Sequence, residues 1–181
     1  PLVHLALGLG VITQMSEFGG RGRNANWIHR YEVSGERTAE WRRLGIADQW
    51  IQLVDAWLDG LDTPSETRSL DAVMRRQLIA DLLALPDGHG VAVDDLVPWL
   101  QANHLLAERV DLEQLHVQLV TLGLCPANGP VGLGALARTV LTEPMSLHQL
   151  LPEQDLTFVV QADFSVIAPP ALDPAVRARL D

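Results

Sequence analysis

The chain has 181 residues, of which 48% are hydrophobic and 20% charged, enough to bury one large core or two small ones and too apolar for disorder. Its formal charge is −10, unevenly spread: residues 1–60 hold six Arg against seven acids, and residues 61–181 hold seven Arg against sixteen. Such a chain repels phosphate at long range, so any contact with nucleic acid has to be local.

A single cysteine, Cys125, excludes an internal disulfide framework and fits a reducing compartment. No apolar run reaches the roughly 18–20 residues that span a bilayer. The opening Pro1-Leu2-Val3-His4 has no basic-then-apolar signal character, so a cytoplasmic location and no membrane contact are expected. Opening on Pro1 rather than Met, the chain is expected to be a cut or processed piece of a longer product.

Leu2, Leu5 and Leu9 sit at helical spacing and end in Gly10-Val11-Ile12. A hairpin is predicted next, with a long Gly/Arg/Asn-rich loop at residues 16–26 and a return strand over Ile28–Val33. Ser34 is a candidate N-cap for a helix over residues 35–44. A Trp-rich helix follows over Ile46–Leu58, with Trp50, Leu53, Val54 and Trp57 on one face. Gly60-Leu61-Asp62-Thr63-Pro64-Ser65 is the best linker candidate.

Residues 71–85 place Met74, Leu78, Leu82 and Leu85 on one helical stripe, stopped by Pro86-Asp87-Gly88. A second helix is predicted from Asp94 or Asp95, with Pro98 in its first turn and Leu96, Trp99 and Leu100 inward. The third has the best local signal. Asp111-Leu112-Glu113-Gln114 resembles a capping box, Leu112, Leu115, Leu119 and Leu122 form the buried stripe, and Gly123 stands where a C′ glycine belongs. Asn128-Gly129 predicts a hairpin tip, and residues 135–141 a closing helix.

Three helices, a hairpin and a closing helix is the order of a winged helix. Residues 1–60 echo its latter half, followed by the Trp-rich helix. Thr157–Ala162 and Ser165–Ala168 are predicted strands with a tight connection, and Asp173-Pro174 starts a helix. The expected fold is therefore mainly α with small β-hairpins (α+β). Tandem winged-helix-like units over 1–60 and 61–142 precede the incomplete start of an α/β domain over 143–181.

Residues 39–58 (AEWRRLGIADQWIQLVDAWL) resemble the Trp-containing link after a winged-helix unit in bacterial helicase-associated proteins, and Arg75–Leu100 resembles the opening of the next unit. The span 150–172 (LLPEQDLTFVVQADFSVIAPPAL) resembles the start of the XPB-type helicase N-terminal domain family. Its recurring pattern is matched by Val160-Gln161-Ala162-Asp163 followed by Val166-Ile167-Ala168-Pro169. The resemblance implies an actinobacterial-type DNA-repair or helicase-associated protein. It brings no motor, because a chain whose thirteen basic residues are all Arg has no Walker Gly-Lys-Ser/Thr loop.

No enzyme, cofactor or metal site is expected. The six His are scattered, and Cys125 has no partner at metal-ligand spacing. Gly132-Leu133-Gly134-Ala135-Leu136-Ala137 matches a relaxed dinucleotide fingerprint, but the context is a Pro-flanked turn and a brief helix rather than a βαβ unit. The third helix presents Glu113, Gln114, His116, Gln118 and Thr121 outward without a cation, which suits neither phosphate nor the major groove. The candidate nucleic-acid residues are Arg21, Arg23 and Arg30 on a glycine-rich wing, with Arg42 and Arg43 after it. The leading expectation is a non-enzymatic DNA-associated module of a larger protein, partnered by a helicase, another repair protein or further domains of its own chain. The alternative is a protein–protein interaction scaffold without nucleic-acid contact.

Overall fold

The computed structural model describes residues 2–19, 26–59, 66–104, 111–152, 155–163, 165–169, 172–177 and 179. It is mainly α-helical with two small antiparallel two-stranded sheets. The chain forms two compact units, Pro1–Gln49 with Glu153–Asp181, and Trp50–Pro152.

In the first unit, helix α1 (Leu2–Gly8) is followed by Gly10 at φ +70°, the left-handed conformation that glycine adopts without steric cost. Strands β1 (Ile12–Gly19) and β2 (Asn26–Val33) pair from Ile12↔Val33 to Gly19↔Asn26. Residues 16–19 and 26 are thus strand rather than the expected loop. Ladder hydrogen bonding carries the ribbon past the Gly-rich composition, and what remains of that loop lies outside the described residues.

Helix α2 (Gly35–Arg42) is capped as expected: Arg37 N–H donates to Ser34 Oγ at 3.3 Å. Helix α3 (Ile46–Asp59) runs through the division between the units. The predicted linker at 60–65 lies outside the described residues.

The second unit holds the deep core. Val54 and Trp57 of α3 are buried there, with Met74, Leu78, Ile79 and Leu82 of α4 (Glu66–Ala84). Leu96 and Leu100 of α5 (Val93–Asn103), and Leu115 and Leu119 of α6 (Leu112–Thr121), join them. Pro98 lies inside α5, beyond the first turn where it was expected, because the helix starts at Val93; there its missing N–H removes a main-chain bond.

Helix α6 ends as its sequence predicts. Asp111 Oδ1 accepts from Gln114 N–H at 2.9 Å, and Gly123 takes φ +70°. Leu124 N–H donates to Leu119 O, and Gly123 N–H to Val120 O, a Schellman closure.

The Asn128-Gly129 segment differs from expectation. Gly129 turns at φ +98°, but the flanking residues do not pair with each other. Val131 instead exchanges both main-chain hydrogen bonds with Val91, at 3.0 and 2.7 Å. The two flanking prolines remove donors from a local ladder, and a strand residue between α4 and α5 takes the place. Helix α7 (Ala135–Thr142), a 3-10 turn at Pro144–Ser146 and α8 (Leu147–Leu150) close the unit. The order from α4 onward is helix, bridge residue, two helices, turn, bridge residue and helix, with the Val91–Val131 bridge where the expected hairpin would stand.

In the C-terminal part of the first unit, β3 (Val159–Val160) pairs with β4 (Val166–Ile167). Asp163 closes their turn by accepting from Ser165 Oγ and N–H, which holds its carboxyl below the ordinary range. Asp173 caps α9 (Pro174–Arg177), accepting from Val176 N–H at 3.2 Å.

Candidate nucleic-acid interface

The side of α6 that carries Gln118 is covered within the second unit. Trp57 Nε1–H donates to Gln118 Oε1 at 2.7 Å, and Trp50 Nε1–H donates to the Leu122 carbonyl at 2.8 Å. The Arg75 guanidinium lies 5.6 Å from the Trp57 ring centroid and donates to the Trp57 carbonyl, fixing the indole further. Gln118, which could read adenine from an open helix, therefore spends its acceptor inside the unit. The exposed side chains left on α6 include Glu113, Val117 and Thr121, with no cation among them. That surface repels a phosphate backbone.

The glycine fingerprint is also explained by packing. A Cβ on Gly132 would collide with the His89 carbonyl and the Gly90 backbone, and one on Gly90 would lie 2.8 Å from Val131 O. The two glycines let the Val91 and Val131 backbones meet. Gly134 is the N-cap of α7. No cofactor role is needed to account for them.

One polar constellation escaped the sequence. His104 Nε2 lies 2.5 Å from Asp81 Oδ2, while Gln77 Nε2–H donates to Asp81 Oδ1 at 3.3 Å. Among the described residues no Ser, Thr or Cys side chain bonds to His104, so the pair ties the end of α5 to α4 without a nucleophile. Cys125 is buried, and that burial pushes its thiol up to about 11, which leaves it unreactive at neutral pH. Among the described residues, no three His, Cys, Asp or Glu side chains gather as metal ligands.

The basic residues gather in the first unit. Arg42 and Arg43, at the end of α2, line a concavity of about 540 Å³ together with Arg179. Val33, Gly35, Thr38 and Ala39 also line it, and among the described residues no carboxylate does. Arg37 is ion-paired with Glu40 at 3.2 Å and does not line the concavity. No described carboxylate lies within ion-pair distance of Arg42, Arg43 or Arg179. Arg179 was not among the sequence candidates, because nothing local marks a residue far along the chain as a neighbour of α2.

The other candidates separate from this group. Arg21 and Arg23 lie outside the described residues. Arg30 is exposed on β2, where the register puts it on the same ribbon face as Glu17 and Glu32, the face opposite to Val33. Its charge is offset locally, and it does not extend the concavity.

No family model, curated protein or solved structure matches the chain. Among the described residues, no helix is long and apolar enough to cross a membrane.

Proposed function

We propose that this chain is a non-enzymatic, nucleic-acid-associated module of a larger helicase-associated or DNA-repair-type protein, and that it contacts phosphate through its first unit. The observation that carries this reading is the concavity in which Arg42, Arg43 and Arg179 stand together, with no carboxylate among the described residues of its wall. Guanidinium groups suit phosphate oxygens, and a local cluster can act where the overall charge of −10 opposes approach. The reading is tested by fluorescence anisotropy with labelled duplex DNA across a salt series. Three phosphate contacts predict a log–log slope of roughly −3, and replacing Arg42, Arg43 and Arg179 by Ala should flatten it. Binding that ignores the triple substitution, or no binding at low salt, refutes the proposal.

A second reading applies to the second unit. Its recognition helix is packed against Trp50 and Trp57 and is acidic on its open side, which favours a protein-facing scaffold over a reader of DNA. Glu113→Gln should accordingly leave nucleic-acid binding unchanged.

A further inference from the structure

The β1–β2 ribbon divides its side chains by the two-residue alternation of strands. The register places Gln14, Ser16, Phe18, His29, Tyr31 and Val33 on one face, and Glu17, Glu32 and Arg30 on the other. The first face therefore carries no carboxylate. Its rings are open to solvent, with Phe18 64% and Tyr31 51% exposed. His29 is held in place across the strands: its Nδ1 lies 2.9 Å from both Gln14 Nε2 and Ser16 Oγ. Gln14 can only donate through Nε2, so Nδ1 accepts.

His29 and Tyr31 are two residues apart on β2, about 6.6 Å along the strand, a separation that offers successive rings to successive bases. Val33 continues this face and is also part of the concavity lined by Arg42, Arg43 and Arg179. An uncharged aromatic row thus leads into a cationic hollow within one compact unit.

We infer that this face of the ribbon is a stacking platform for single-stranded nucleic acid, with bases on Phe18, His29 and Tyr31 and backbone phosphate in the arginine hollow. This rests on the nucleic-acid reading above and narrows it to unpaired strands. A duplex keeps its base faces stacked inside and can use only the arginines. A ring accepts any base, so the platform reads strand state rather than sequence.

The test is anisotropy on the full chain with four labelled probes of about 15 nucleotides: oligothymidylate, oligouridylate, a duplex, and an abasic strand that keeps the phosphates without bases. One or both based single strands should bind at least about tenfold tighter than the duplex and the abasic strand. Phe18→Leu and Tyr31→Leu keep apolar bulk on the ribbon but remove the π face. Each should weaken the based strands about tenfold and leave the duplex and abasic strand unchanged, while Tyr31→Trp should retain wild-type affinity. The platform is overturned if the abasic strand binds as well as the tighter of the two based strands, or if the leucine variants bind that strand as wild type does; phosphate contact by the arginines would survive either result. Failure to bind any probe sinks the platform and the nucleic-acid reading together. Equal capture of a polyglutamate peptide would overturn the platform in favour of an acidic protein ligand.

Discussion

Among the described charged residues of the second unit, Arg138 makes the most side-chain hydrogen bonds to main-chain carbonyls, and replacing it by Ala should destabilise that unit. The guanidinium is only 18% exposed and closes the end of α4: its amino groups donate to the carbonyls of Leu83 at 3.0 Å, Leu85 at 2.7 Å and Leu82 at 3.3 Å. These are C-terminal carbonyls with no partner inside their own helix, at the negative end of its dipole. A hydrogen bond to a charged group contributes about 1.5–3 kcal/mol, but the three share one guanidinium and water can reach part of the vacated space. Asp87 Oδ1, 3.1 Å from Nε, is 91% exposed and adds little.

The expected loss for Arg138→Ala is therefore about 3 kcal/mol, with Arg138→Lys losing about half, because one ammonium cannot span three carbonyls. Asp87→Asn should lie within about 0.5 kcal/mol of wild type. Urea denaturation followed by circular dichroism measures all three, provided the m-values agree. A lysine variant as stable as wild type would show that charge at the helix end suffices and that the forked geometry is irrelevant. An alanine variant within about 0.5 kcal/mol would refute the cap itself.

Gly132→Ala should cost more than about 2 kcal/mol in the same assay, because its Cβ meets backbone that has no rotamer to yield, whereas Gly134→Ala has open space and should cost only tenths. Equal effects would refute the close-approach account. Cys125 gives a pH prediction: its thiol is raised to about 11, so the unfolded chain loses that proton first. The stabilisation is full below about pH 9 and is lost as pH rises towards 11, by at most about 1.4 kcal/mol per unit. Cys125→Ala should remove that part of the slope between about pH 9 and 11, and an unchanged slope would rule the thiol out.

Local chemistry was legible in the sequence. Ser34, Asp111 and Asp173 cap the helices they were expected to cap, and Gly123 takes the left-handed conformation, because each outcome is decided within four residues. The helical stripe through Met74, Leu78 and Leu82 is buried as its spacing requires. What escaped was long-range. Val131 pairs with Val91, Arg138 with the end of α4, and Arg179 shares a hollow with Arg42 and Arg43. None leaves a periodic trace, since periodicity reports which side of an element faces a core and not which element supplies it.

The same limit decides where function was sought. Spacing alone put Gln118 on the outward side of α6, where a recognition helix reads bases. The structure gives that side a cover, because the Trp stripe of α3 offers indole N–H groups as well as apolar surface. Trp57 donates to Gln118 and Trp50 to the end of the helix. A tryptophan needs a partner for its N–H when it is buried, so packing α3 here consumed the polar groups that base reading would require. In the second unit, the side of α6 that carries Gln118 is built into the unit's own fold. The cations and open rings lie in the first unit, where among the described residues only Ala47 and Leu172 are buried and a two-stranded ribbon holds its rings in solvent. A two-stranded ribbon is at best marginally stable in water by itself, and neither Phe18 nor Tyr31 on it is buried.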